Sequence, residues 1–306
     1  MIYLNEKQTS QLISHQLAYD AVREAFIASV SDEATLFPVV NAAGAQKDSM
    51  FSLKSACTST VLGWKTGTYW PNNTELNMPC HGTTVFLLNP ETGELQAAIA
   101  ASRVNAYRTA AADAVAVDHL ARKDSSVLTI FGTGHQAEYE VLAICRVRNI
   151  EKVLVVGRNN TDAFVQKLKQ HGVNAESASA QLACEQADII VTVTTAKAPL
   201  FNANWVKSGT HISAMGADKV GKHELPVELY SRSSLFCDNE LQSLAIGEFQ
   251  HSEEQSITEI GRVINGQMAG RKTAEEITIF DSSGIAIQDL FVASRLLDLA
   301  QSEVTE

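Results

Sequence analysis

The chain has 306 residues, of which 45% are hydrophobic and 19% charged, and a formal net charge of −11. That length exceeds one ordinary core and predicts two domains. The acidic balance argues against general binding to nucleic acid or to anionic membranes, so any anion site must be local.

Five cysteines, Cys57, Cys80, Cys145, Cys184 and Cys237, contain no CxxC pair. An odd set without that spacing argues against a disulfide framework and a zinc module and fits a reducing cytoplasm. The first residues carry no basic segment followed by an apolar core, and no apolar run is long enough for a membrane span, so a cytoplasmic protein is expected.

In chain order, residues 8 to 30 show helical apolar spacing at Leu12, Ile13, Leu17, Ala21, Val22, Ala25 and Phe26, with Ser14 as a cap that restarts the helix. From Phe37 to Trp70 the chain alternates and is rich in β formers, which predicts antiparallel strands, and 70–74 reads as a loop. The runs 83–88 and 95–99, joined by Asn89-Pro90-Glu91-Thr92-Gly93-Glu94, read as a hairpin. An alanine-rich segment from Val104 to Arg122 predicts a long buried helix.

Beyond it the pattern alternates: strand 127–131, helix 136–148, strand 152–157, helix 161–171, strand 173–176, helix 179–186, strand 188–194. Further strands are expected at 210–215, 234–238 and 277–280, and a last helix at 285–301. This predicts an α/β protein whose parallel sheet is covered on both faces.

The stretch Val127-Leu128-Thr129-Ile130-Phe131-Gly132-Thr133-Gly134-His135-Gln136-Ala137 carries the clearest functional signal. Strand, tight turn and helix start follow one another there. Gly132 permits the turn, Gly134 lets a phosphate approach the backbone, and the helix start offers N–H groups and a positive dipole end. Ala137 fills the small third position of a relaxed dinucleotide fingerprint. At the end of the second strand, where NAD-specific domains place an acidic residue, the chain reads Gly157-Arg158-Asn159-Asn160. Arg158 with Asn159 and Asn160 would attract a 2′-phosphate, which favours NADPH, with NADH as the other nicotinamide cofactor. As a bare residue, Arg158 would be a solvated surface charge.

Several stretches together resemble the ornithine cyclodeaminase and mu-crystallin family: Gly63-Trp64-Lys65, Met78-Pro79 with His81-Gly82-Thr83-Thr84-Val85, Tyr107-Arg108-Thr109-Ala110-Ala111, and the Gly132–Ala137 turn. Gly216-Ala217-Asp218 with Gly221-Lys222-His223-Glu224-Leu225, and Phe280-Asp281-Ser282-Ser283-Gly284-Ile285-Ala286-Ile287-Gln288-Asp289, complete the set in the family's order. The resemblance implies a Rossmann-type doubly wound parallel sheet over 121–284. It also implies a smaller α+β substrate-binding and dimerisation domain over 1–120, completed by the C-terminal segment 285–306. A homodimer is expected, with the substrate carboxylate held by basic residues in the cleft between domains.

Each candidate also has a plainer reading. A strand lysine such as Lys65 is by default a solvated edge charge; the resemblance makes it a substrate-carboxylate ligand of the catalytic set. Arg108, in a buried alanine-rich helix, needs an anion, which a structural carboxylate, a substrate or a phosphate would supply; the resemblance makes it a substrate-binding residue. Asp218 follows a strand end and would ordinarily be a turn former; the resemblance makes it the catalytic acid/base. Thr84 is expected to help orient the substrate. Val40 and Ser52 stand where amino-acid-processing relatives carry basic residues, and Lys54, two residues from Ser52 on the same strand face, can restore the charge.

The expected cofactor set is Gly132, Thr133, Gly134, His135, Gln136, Ala137, Arg158, Asn159, Asn160, Thr194, Thr195, Met215, Gly216 and Ser283, with no metal. The function that follows is reduction of a small cyclic imino acid, Δ1-pyrroline-2-carboxylate to L-proline or its six-membered homologue. Ornithine cyclodeamination, and cofactor binding without turnover, are the alternatives.

Overall fold

The first three-residue run forms a strand too short for its alternation to announce: β1 (Ile2–Leu4) pairs in parallel with Ala97–Ile99. Asn5 then opens α1 (Glu6–Leu12) with a reciprocal capping box to Gln8, and Ser14 caps α2 (His15–Ser29) by accepting the Leu17 N–H. The strands that follow are β2 (Thr35–Leu36), β3 (Val40–Ala43), β4 (Met50–Cys57) and β5 (Leu62–Tyr69). Of 70–74, expected as a loop, all but Trp70 winds instead into a 3₁₀ turn, Pro71–Leu76, with Pro71 at its first position, where the missing N–H costs nothing. β6 (His81–Leu88) and β7 (Leu95–Ala100) form the expected hairpin, and α3 (Ser102–Leu120) is the long buried helix.

This is a computed structural model and describes residues 1–252 and 256–304. Contacts divide it into one unit of Met1–Thr109 with the chain from Ile285 onward, and a second of Ala110–Gly284. Each sheet lies within one unit. The division falls inside α3 rather than at its end, because the carboxyl half of that helix packs with the second core. The first unit's sheet has the order β1-β7-β6-β5-β4-β2, with β3 also on β4, and is antiparallel except at β1.

The second unit is built from β8 (Val127–Phe131), α4 (His135–Val147), β9 (Lys152–Val156), α5 (Thr161–Gln170), β10 (Ala175–Ser177), α6 (Ala180–Gln186), β11 (Ile189–Thr192) and β12 (His211–Ala214). It continues with β13 (Ser233–Cys237), α7 (Glu240–Ile246), β14 (Ile257–Glu259), α8 (Ile260–Ile264) and β15 (Ile277–Asp281). All pairs are parallel, in the order β10-β9-β8-β11-β12-β15-β13-β14. This is a Rossmann-type sheet, and its order reverses at β8, so the carboxyl ends of β8 and β11 open a crevice. β11 and β12 are shorter than the runs 188–194 and 210–215, because their last residues leave the ladder to form the loops above the sheet. The edge strand β14 and helices α7 and α8 lie in a polar stretch whose periodicity is too short to read.

The core of this unit takes Phe131, Ile190, Ile212, Leu235 and Ile279 from five strands, each nearly or fully buried. Burial on both faces explains why these strands read as continuous apolar runs.

α9 (Ala286–Val304) returns to the first unit, packing on α2 and across β4, β5 and β6. Residues 305–306 of the expected return segment lie outside the described residues. No helix among the described residues is long and apolar enough to cross a membrane, and all five cysteines are unpaired.

Candidate active site

In the first unit, β5 is a central strand, flanked by β4 and β6, and this overturns the default of a solvated edge for Lys65. Its side chain is buried, directly opposite Lys54 in the β4–β5 register and opposite Val85 on β6. Opposed residues share a face, so the two lysines lie on the same side of the sheet. Lys65 Nζ donates to Asp289 Oδ1 at 3.1 Å and to Asn105 Oδ1 at 2.6 Å. Arg108, buried on α3, donates through Nε to the same Asp289 oxygen at 3.0 Å, through Nη2 to the same Asn105 oxygen at 2.9 Å, and through Nη1 to Gln288 Oε1 at 3.4 Å.

Two cations are thus bridged twice, by one carboxylate and one amide. Among the described residues, one ammonium donor and part of the guanidinium fork are left over from these bonds. Asp289 is the structural carboxylate that Arg108 requires.

Electrostatics bear out the crowding. Burial and the Arg108 and Lys54 charges bring the Lys65 ammonium down to about 7, against the pull of Asp289. Burial opposes charge on Asp289 too, but Arg108 and Lys65 hold its carboxyl below its usual range. Asp289 Oδ2 and Gln288 Nε2 are buried without a protein partner. Thr84 is half-buried on β6, paired with Thr66 and Ala100.

In the second unit, β8 runs into Gly132, whose φ of 127° only glycine adopts readily and where a Cβ would lie 2.8 Å from the Val193 carbonyl oxygen. Gly134 caps α4 without a side-chain bond, and nothing lies within 4 Å of where its Cβ would be. An open helix start beside the sheet crevice fits a pyrophosphate. Thr133 Oγ1 donates to the Asn159 carbonyl at 3.0 Å, joining the first βα turn to the second. His135 is exposed, Gln136 half-buried, and Ala137 packs in the core. Arg158, Asn159 and Asn160 are exposed beyond β9, Asn160 in the left-handed region with φ 59°.

Thr194 and Thr195 follow β11, and Met215 and Gly216 follow β12, at the same edge of the sheet. Ser283 follows β15, buried, and its Oγ accepts from Gln242 Nε2 at 2.7 Å. Asp218 is exposed on the turn after β12, where its Oδ1 accepts from Lys222 Nζ at 2.6 Å. Glu224 is fully buried and accepts from the Thr194 N–H and Oγ1, the Thr192 Oγ1 and the Gly216 N–H.

The cation group and the nucleotide-binding turn therefore each assemble within a single unit. Sequence reading missed Asn105, Lys222, Glu224 and Asp289 as site residues. The last three stand in the motifs that carry the resemblance, and that was their available signal; Asn105, three residues before Arg108, carries none.

Residues 1–303 match the model of the Ornithine cyclodeaminase/mu-crystallin family. The chain is 37% identical to the iminosuccinate reductase of Paracoccus denitrificans over 98% of this chain and 97% of the relative. The crystal structure of that enzyme in complex with NAD+ superposes with a TM-score of 0.94, at 36% identity, covering 99% of this chain and 97% of that one. An archaeal alanine dehydrogenase dimer with bound NAD gives a TM-score of 0.93 at 34% identity, with 99% and 97% covered. The Δ1-pyrroline-2-carboxylate reductase of Thermococcus litoralis, in complex with NADH and L-proline, gives 0.91 at 29% identity, with 99% and 98% covered. With a family model spanning nearly every residue and relatives matched end to end, this chain belongs to the ornithine cyclodeaminase/mu-crystallin family.

Proposed function

We propose that the protein is a nicotinamide-dependent reductase of a small imino acid, of the Δ1-pyrroline-2-carboxylate type, yielding an amino acid such as L-proline. The observation that carries this reading is the buried Lys65–Arg108 pair, braced by Asp289 and Asn105 with donors left over. Such a group suits a carboxylate clamp, because a braced donor loses little freedom when the carboxylate arrives.

A bound reduced nicotinamide supplies the hydride, and Gly132–Ala137, Thr194, Thr195, Met215, Gly216 and Ser283 would hold it. Lys65, Arg108 and Thr84 orient the substrate. Asp218 provides the proton that the imine nitrogen gains as its carbon gains hydride. Arg158 with Asn159 and Asn160 favours NADPH over NADH. The relatives, one of them an archaeal dimer, support a homodimer. The presence of Lys65, Arg108 and Asp218 together favours turnover over cofactor storage.

Lys54 favours a second substrate. Lys65 feels two cations, Arg108 and Lys54, and one carboxylate, Asp289. That excess of positive charge suits an imine bearing two carboxylates, the chemistry named for the Paracoccus relative.

The test is a panel assay of the purified chain with NADH and NADPH. It would include Δ1-pyrroline-2-carboxylate, Δ1-piperideine-2-carboxylate, the imine formed from oxaloacetate with ammonium, ornithine and alanine. Cofactor oxidation with an imine, and no ammonia from ornithine, is expected. Ornithine-dependent ammonia release without imine reduction would overturn the reading in favour of cyclodeamination.

A further inference from the structure

The turn that carries Asp218 is held from two sides by residues two apart in the chain. Glu224 accepts the Gly216 N–H at 2.9 Å, and Lys222 Nζ donates to the Gly216 carbonyl at 2.8 Å while also donating to Asp218 Oδ1 at 2.6 Å. The peptide groups flanking Gly216 are therefore fixed at both N–H and C=O. The fit is tight: a Cβ at Gly216 would lie 2.5 Å from Glu224 Oε1 and 2.5 Å from the Thr194 carbonyl oxygen.

Glu224 reaches further. Its carboxylate takes four donors from two segments, including Thr194 N–H and Oγ1, each at 2.7 Å, and Thr192 Oγ1 at 2.8 Å. Burial pushes its carboxyl up, and these bonds pull it back. One side chain thus joins the ends of β11 and β12.

The clamp is itself anchored. The Glu224 and Leu225 N–H groups donate to the Glu248 carboxylate, the Leu200 N–H donates to the Glu224 carbonyl, and the His223 N–H donates to the Ala196 carbonyl. Residues 222–225 are thereby tied to their surroundings at several backbone groups. From this stretch Lys222 and Glu224 both reach the turn.

We propose that Lys222 and Glu224 are positioning residues, Glu224 locking the loops after β11 and β12 in one arrangement and Lys222 orienting the exposed Asp218 side chain so that it relays a proton from solvent to the imine nitrogen. The Lys222 part rests on the reading of Asp218 as proton source; the Glu224 part rests on the reading of Thr194 and Gly216 as cofactor contacts. An exposed ion pair on a free turn would contribute little. Here the lysine is shared between carboxylate and backbone, and the turn is pinned beneath, so its loss misplaces Asp218 rather than merely removing a charge.

The test is a double-mutant cycle in the full chain, read as steady-state turnover with Δ1-pyrroline-2-carboxylate and NADPH, or with whichever imine of the panel turns over. Lys222→Met should lower kcat on the order of tenfold with cofactor affinity, measured by NADPH fluorescence, unchanged, and Lys222→Arg should restore most of it. Asp218→Asn should lower kcat further, and Asp218→Asn/Lys222→Met should be no slower than Asp218→Asn alone. Multiplying effects, with Asp218→Asn still slow, would overturn the role of Lys222 and leave Asp218 as proton source. Near-normal turnover in Asp218→Asn would remove both. Glu224→Gln should weaken NADPH binding on the order of tenfold; unchanged binding would overturn its part. Should that variant not fold, Thr192→Val, which removes one bond to the carboxylate at a residue outside the cofactor set, should weaken NADPH binding severalfold, with unchanged binding overturning the same part.

Discussion

Asp289 Oδ1 accepts from both Lys65 Nζ, at 3.1 Å, and Arg108 Nε, at 3.0 Å, so one buried oxygen serves two buried cations. Removing that charge leaves both cations without their ionic partner. Loss of one partner from a buried ion pair costs roughly 3–5 kcal/mol. Asp289→Asn should therefore lower stability by about that much in chemical denaturation and raise KM for an anionic imine. A midpoint of unfolding equal to that of the parent would show that Asn105 braces the pair alone.

The same crowding sets a pH dependence. With its ammonium lowered to about 7, Lys65 loses its proton above that pH in the free protein, and a bound carboxylate favours the protonated form. Affinity for an anionic substrate should then be full below pH 7 and fall as pH rises through it. Plots of kcat/KM against pH should show this descending limb, and Lys65→Arg, which stays charged, should move it out of the range. A limb unaltered by Lys65→Arg would assign it to another group.

The outline of the fold was legible because the chain writes it in long signals. Continuous apolar runs marked β8 and β9, and alanine richness marked α3. Ser14 showed the break between α1 and α2. The short elements β1 and β14 were not legible, since three residues carry no period and their pairing depends on distant strands.

In the site, Lys65 and Arg108 could be named, but not their shared partner. Asp289 lies 224 residues beyond Lys65, and nothing in its neighbours reveals which helix face meets β5. Glu224 was hidden for a different reason: a buried carboxylate is recognised by the donors around it, and those lie at the ends of two strands, β11 and β12.

Cofactor preference tests the exposed Arg158. A charge-assisted bond is worth roughly 1.5–3 kcal/mol, so Arg158→Ala should weaken NADPH about 10- to 100-fold and leave NADH almost unchanged. Parallel titrations of both cofactors decide the matter. An equal effect on the two, or none, would return Arg158 to a solvated surface charge.

Stability should also respond to pH through Glu248. Burial raises its carboxyl from 4.5 to about 7, against the pull of the Leu225 and Glu224 N–H groups, and the Glu224 charge adds to the rise. A carboxyl raised on folding binds its proton more tightly in the native state, so its contribution is full below about pH 4.5 and is lost as pH rises to 7. Glu224, raised in the same direction, adds to this slope, while His223, lowered by burial and by His251, opposes it. Denaturation free energy should decline across this window, and Glu248→Gln should flatten the decline whatever its effect on absolute stability. An unchanged slope would place the linkage elsewhere.

The positive group on the β4–β5 face sits in a chain whose formal net charge is −11. At long range this net charge would repel an anionic substrate, whereas Lys54, Lys65 and Arg108 would attract it at close range. Screening acts first on distant charges, over a Debye length of about 10 Å at 0.1 M salt. Added salt should therefore lift a barrier to encounter before it weakens the final embrace, and substrate capture by this protein should quicken with moderate ionic strength where an electrostatically steered enzyme would slow.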